Sequence, residues 1–367
     1  MSAFSDAFFR EVAHISRDRW DLALLFVMPA LLLGLMAAML LAGSPRDLPI
    51  GIVGPDTPAS RQVARAIDET DAVNVVARPA NEAEALSLVR SGAIVAFLEW
   101  PGGEGQPPRI SYNASYLTAG SLAERGIASA LSVVVLERAL DARGASGLAL
   151  VRANPPRLSV SLLGNPGASF EWYLQALVDP AILHLLVACA TAMAMGRELK
   201  SGRLGEWAGA QGRLAASLAG KLTPYVLVAC GWGALWMIWI AGVRGWAPEG
   251  SLLLVFAGQS LLYAATAAIS ALLVAATRET STALAASAVY AGSALAYSGG
   301  SLPVGGASLF ARGWSEALPF THYLDLQMDQ WLGAPASLAL ADLGLLSLYV
   351  LVPGAATVAL LNRKQAA

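Results

Sequence analysis

The stretch DLALLFVMPALLLGLMAAMLLA, residues 21–42, decides the fold class. After Asp21 it holds no ionisable group, and about 20 apolar residues rising about 1.5 Å each are enough to cross a hydrocarbon core as a helix. Five further stretches have the same character, at 174–196, 219–242, 252–276, 281–299 and 338–361. Lipid offers a free backbone amide no partner, and the alternation of a barrel strand is missing from all six, so they read as helices. Composition agrees: 56% of the 367 residues are hydrophobic and 14% charged, where a soluble domain carries about a quarter charged. A net charge of -2 leaves no basic footprint for nucleic acid.

Short loops orient the spans, because Lys and Arg accumulate on the cytoplasmic side. Arg10, Arg17 and Arg19 precede the first span, Arg197, Lys200, Arg203 and Arg213 separate the second and third, Arg278 separates the fourth and fifth, and Arg363 with Lys364 follows the sixth. Six crossings put all of these on one side. The opposite loops hold Arg244, and Arg312 against Glu316, Asp325 and Asp329. The expected topology is a multi-pass protein of the inner (plasma) membrane with both termini in the cytoplasm. An amphipathic helix over 1–20, with Phe8, Phe9, Val12 and Ile15 beside Arg10, Arg17 and Arg19, lies on the bilayer surface. The apolar run behind it spans, so it is no cleavable leader.

Residues 43–172 break the apolar pattern over a domain's length. Leu48-Pro-Ile-Gly-Ile-Val53 reads as a buried strand before the turn formers 54–58. A helix over 60–68 follows, with Val63, Ala64 and Ile67 on one face, then a helix over 81–91, a strand over 93–98, a strand over 109–113 and a helix from about 119 to 140. The fold class is therefore an α-helical integral membrane protein of six transmembrane helices with a mixed α/β extracytoplasmic domain. Residues 173–367 hold the remaining spans, with a cytoplasmic segment at 196–214 and an outer segment at 300–337.

Few chemical groups sit at membrane depth. Asp21, Asp179 and Asp342 lie near predicted ends and read as interfacial. His184 is deeper: it either makes an interhelical hydrogen bond or lines a pathway. Cys189 and Cys230 fall inside apolar runs and read as packing thiols, and His14, His184 and His322 lack metal-ligand spacing. Gly220-Lys221 resembles a phosphate loop only superficially, since that motif needs a glycine where Ala215 stands and Ser or Thr where Leu222 stands. Any ATP that drives this protein is bound by another chain.

Several motifs in order resemble the ABC-2 type permeases, particularly the exporter branch with a large outer domain after the first helix. They are Arg10-Glu11 and Ile15-Ser-Arg-Asp-Arg19 before a span with Pro29, Leu48-Pro-Ile-Gly-Ile-Val53 with Pro58-Ala-Ser-Arg61, and Val89-Arg-Ser-Gly-Ala-Ile-Val-Ala96. Glu198, Gly202, Leu204 and Glu206 follow, then Gly220-Lys221, Pro224-Tyr225, Ser298-Gly-Gly-Ser-Leu-Pro303, Leu318-Pro319 and His322-Tyr323. The chain departs from the family pattern at Arg203 and Gly205 in the loop, and at Gly306-Ala-Ser308 after the outer proline.

The resemblance implies a dimer, with a second copy or a paralogue, moved by a separate ABC ATPase that carries the ATP and magnesium. It places ATPase coupling at Glu198, Gly202, Leu204, Glu206 and Trp207, a cytoplasmic entry helix at Arg10, Glu11, Arg17 and Arg19, and an outer gate or re-entrant segment at Pro303, Pro319, His322 and Tyr323. A periplasmic adaptor follows by family analogy alone. No catalytic, cofactor or metal residue is assigned to this chain. Two other classes stand beside it: a membrane-anchored receptor or assembly protein acting through its outer domain without ATP, and an intramembrane hydrolase, for which the spans lack a Ser-x-x-Lys, paired aspartates or a zinc motif.

Overall fold

The structure, a computed structural model, describes residues 2–40, 46–100, 108–112, 119–134, 169–201, 213–300 and 307–363. It divides into two compact units, Met1–Leu41 with Leu162–Ala367, and Ala42–Ser161.

The first unit is helical. Helix α1 spans Ala3–Ile15, shorter than the expected amphipathic helix over 1–20. Asp18 is the reason: its carboxylate accepts from the backbone N–H groups of Trp20 and Asp21 at 2.8 and 3.1 Å. Capping orphaned donors in this way starts a new helix at Arg19. That helix, α2 (Arg19–Leu40), contains a π-helical stretch at Ala23–Val27. The others are α6 (Phe170–Lys200), α7 (Leu214–Val243), α8 (Leu252–Thr277), α9 (Thr280–Tyr297), α10 (Leu309–Glu316), α11 (Pro319–Trp331) and α12 (Ala336–Arg363).

Among the described residues, five helices are long and apolar enough to cross a membrane: α2, α6, α7, α8 and α12. Helix α9 occupies the fifth expected span, but its 18 residues reach only about 27 Å and are diluted by Thr280, Ser281, Thr282, Ser287 and Ser293. The core sits on α6 and α8. Two-thirds of the α6 window is buried (67%), against 11% for α2 and for α12, so α6 is central and those two are peripheral. Buried Ala265, Ala267, Ala268 and Ala271 of α8 allow the close helix approach that association in lipid requires.

The second unit is a four-stranded sheet in the order β2-β1-β3-β4, built from β1 (Leu48–Val53), β2 (Val73–Ala77), β3 (Ala96–Glu99) and β4 (Arg109–Tyr112). Strand β1 pairs in parallel with β2 and β3, and β4 closes antiparallel on β3. Helix α3 (Pro58–Asp68) begins with a reciprocal capping box between Thr57 and Ser60, and α4 (Glu82–Arg90) with Asn81 accepting from Glu84 N–H. Residues 119–134 form α5. Val63 and Ile67 of α3 and Ile127 of α5 pack with Ile50 and Ile52 on one face, while Ala85 of α4 packs with Ile94 and Phe97 on the other. Among the described residues these are the expected α/β elements with β2 added and the strand expected at 93–98 found at Ala96–Glu99, while residue 113 and residues 135–140 of the expected strand and helix lie outside the described residues.

The turn after β1 admits only glycine. Gly54 has φ +144°, and a Cβ there would lie 2.1 Å from the Trp100 carbonyl oxygen. Gly54→Ala is expected to cost on the order of 1–3 kcal/mol, read as faster proteolysis within 42–161 of the full-length protein.

Candidate functional site

Helix α1 lies along the first turns of α7, and its docking face follows helical spacing. Ala7, Glu11 and Ile15 are its buried residues, at i, i+4 and i+8. Phe9 and Val12 stay exposed, so the contact forms through an acid and two small or branched residues rather than the aromatic face. Gly220 permits the approach: a Cβ there would sit 2.3 Å from the Phe4 carbonyl oxygen.

Five charged side chains from distant parts of the chain, Glu11, Asp21, Arg197, Glu198 and Lys221, meet under this contact. Lys221 Nζ, 1% exposed, lies 2.5 Å from Glu11 Oε2 and 2.9 Å from Glu198 Oε1. Glu11 Oε1 accepts from the Tyr225 hydroxyl at 2.6 Å and from Arg197 Nη2 at 2.8 Å. Arg197 Nη1 reaches Asp21 Oδ2 at 3.0 Å, and His14 Nε2 approaches the same oxygen at 3.5 Å. Burial alone pushes the Glu11 carboxyl upward, but the Lys221 charge, hydrogen bonds from Lys221 and Tyr225, and the Arg197 charge outweigh it and hold it below its usual value. Glu11 is therefore ionised at neutral pH and fully partnered.

Such a network adds little net stability, because desolvation offsets the Coulomb gain, yet removing one member strands the others. Its effect is geometric. Glu198 stands in the last turn of α6 and Lys221 in the second turn of α7, so their ion pair clamps both ends of the connection between these helices, and Glu11 ties α1 to the clamp.

The expected coupling residues divide accordingly. Glu198 is in the network, whereas Gly202, Leu204, Glu206 and Trp207 lie outside the described residues. Of the entry-helix set, Glu11 is buried and Arg10, Arg17 and Arg19 are exposed, the Arg19 guanidinium resting 5.8 Å from the Trp20 ring centre. Sequence reading used Arg197 only to orient the spans and Lys221 and Tyr225 only as parts of the resemblance motifs, and placed none of the three in a site. The signal was present, since Lys221 is an ionisable group inside the expected span 219–242.

At the opposite end of the unit, Pro303 lies outside the described residues and Pro319 opens α11. Tyr323 is fully buried and donates to Gln327, whose Nε2 donates to the Ala176 carbonyl at 2.7 Å, pinning α11 to α6. His322 Nε2 is 3.1 Å from the Glu316 carbonyl oxygen. Arg244 is consumed by Glu171, its Nε lying 2.8 and 3.0 Å from the two carboxylate oxygens.

His184 is fully buried and its Nδ1 lies 2.6 Å from Thr266 Oγ1. That hydroxyl donates its one proton to the Leu262 carbonyl, so His184 Nδ1 must be the donor. The interhelical hydrogen bond between α6 and α8 is thus present. Two of the span aspartates are buried within the protein. Asp21 is near a helix end but buried against Arg197, and Asp179, two turns inside α6 and 2% exposed, faces the bundle. An apolar cavity of about 720 Å³ opens between α7, α8 and α12, with Thr223 and Asn362 among its polar lining residues. It has no charged wall and suits an apolar moiety only.

A family model described as "ABC-2 family transporter protein" matches residues 19–359. No curated protein and no solved structure matches the chain.

Proposed function

The chain belongs to the ABC-2 family of transporter permeases, and from that premise we propose that it is the transmembrane subunit of an ATP-driven exporter whose ATPase is a separate chain. The observation that supports this reading most is the ion network of Glu11, Glu198 and Lys221, which fixes α1 and both ends of the 202–212 connection as one body. Force applied to that connection would be delivered to α6, α7 and α1 together instead of being dissipated in a loose loop.

In this reading the connection docks on the ATPase through Leu204, Glu206 and Trp207, with Glu198 and Gly202 setting its start. Helix α9 completes the six spans as the fifth in chain order, the unit 42–161 stands outside the membrane, and two copies enclose the path. His184 lies beside that path, and Pro303, Pro319, His322 and Tyr323 belong to its outer gate. ATP and magnesium belong to the partner.

The test is co-expression with the candidate ATPase. Glu206→Lys should abolish co-purification and export while leaving the permease folded. Undiminished co-purification and export for both Glu206→Lys and Trp207→Ala would overturn the coupling role. A second reading, a receptor or assembly protein, draws support from the self-contained core of the 42–161 unit. It predicts that activity survives loss of the ATPase.

A further inference from the structure

A second cavity, of about 320 Å³, lies where α1, α2 and α7 converge. Phe8 and Val12 of α1, Leu22 and Phe26 of α2, and Leu227 and Val228 of α7 wall it, and Ser16 also lines it. Phe26 and Leu227 are 44% and 55% exposed, so the cleft opens on a surface that is lipid in a spanning protein. Its volume and its apolar walls suit an alkyl chain.

Beside Ser16 the exposed charges have one sign left over. Arg17 follows Ser16 directly. Arg19 stands at i to Leu22 at i+3 and Phe26 at i+7, which places it above the same helical face as the cavity wall. Both arginines are exposed, and among the described residues no carboxylate lies within ion-pair distance of Arg10, Arg17 or Arg19. The nearby acids are committed: Asp18 caps α2, and Asp21 meets Arg197 and His14. Trp20, 69% exposed, supplies the amphipathic ring favoured at headgroup level.

We propose that this cleft binds an anionic phospholipid, one acyl chain lying between α1, α2 and α7 and its phosphate held by Arg17 and Arg19. An apolar slot capped by unpaired cations fits that ligand. A zwitterionic lipid brings its own ammonium beside the phosphate and so leaves the net positive charge unanswered, and free phosphate would leave the slot empty. The inference rests on the membrane orientation proposed above and not on the ATPase. A bound lipid would wedge α1 against the ion network from its open side.

Native mass spectrometry of the full-length protein tests it, with phosphatidylglycerol, phosphatidylcholine and inorganic phosphate titrated separately. Wild type should retain phosphatidylglycerol on the order of 10- to 30-fold more tightly than phosphatidylcholine, as two surface cations imply. The surface double variant Arg17→Gln/Arg19→Gln should abolish the preference, and Val12→Trp, which fills the cleft, should weaken both lipids. Equal retention of the two lipids by wild type, an unchanged preference in the double variant, or displacement by inorganic phosphate alone would overturn the proposal. So would occupation of the cleft by a second copy, seen as a dimer cross-linked through Val12. Loss of ATPase co-purification on Glu206→Lys would persist in every one of these cases.

Discussion

Lys221→Met is expected to destabilise the protein by roughly 3–5 kcal/mol, the cost of breaking a buried ion pair from one side. The ammonium is 1% exposed and serves two carboxylates at once, Glu11 at 2.5 Å and Glu198 at 2.9 Å. Its removal leaves Glu11 buried with only Arg197 and Tyr225 as partners, while Glu198, whose side chain is 17% exposed, can turn to water. The penalty therefore falls on Glu11, and adding Glu11→Gln should recover a large part of it, because no unpaired charge then remains. Arg10→Ala, on the exposed face of the same helix, should leave the unfolding temperature unchanged.

The pH dependence has a defined sign. Glu11 is held below its ordinary value of 4.5 in the folded protein, so its contribution is present above that value and lost as the pH falls through the folded one. In Lys221→Met the strongest lowering influence on Glu11 is gone and its burial pushes the carboxyl upward, so protonation relieves the stranded charge and the gap in unfolding temperature between variant and wild type should narrow as the pH falls. Unfolding temperatures of both proteins across pH 3 to 7 would show it. Coincident profiles would mean that Lys221 does not govern Glu11.

Gly220→Ala opposes two effects of different size. A glycine inside a helix costs about 1 kcal/mol relative to alanine, so propensity alone predicts a gain. The new Cβ, however, would lie 2.3 Å from the Phe4 carbonyl oxygen and 3.0 and 3.1 Å from its carbonyl carbon and Cα. These are backbone atoms with no rotamer to relieve the overlap, so α1 must move off by about 1 Å, at an overpacking cost on the order of 1–3 kcal/mol. That shift also stretches the Glu11 to Lys221 pair. The expected result is a net loss of stability and earlier protease cleavage ahead of Arg17. A gain of about 1 kcal/mol would show that α1 is not seated on α7.

Local signals carried much of the fold, and they failed where partners are distant in sequence. The strand Leu48–Val53 was legible because turn formers bracket an apolar run. Strand Val73–Ala77 was not read, because its alternation is broken by adjacent Val75 and Val76 and its pairing to β1 is parallel and non-local. The break after Ile15 was encoded by Asp18 as a cap, but the charged residues around it also suit one continuous amphipathic helix. Apolar periodicity pointed to the aromatic side of α1, whereas the docked side carries Glu11, a choice that depends on Lys221 some 210 positions away. The pair Gly220-Lys221 lies inside α7. Its actual employment, a glycine for close approach and a lysine for two acids, emerges only when α1, α6 and α7 are assembled.

In the proposed function the connection between α6 and α7 receives the ATPase and passes its motion into the Glu11, Lys221 and Glu198 network. A photo-activated cross-linking residue at position 207 of the full-length chain, co-expressed with the candidate ATPase, tests it most directly. The account predicts a cross-link to the ATPase that is lost in Glu206→Lys. An intact permease–ATPase complex in which position 207 reaches only lipid or its own chain would contradict it.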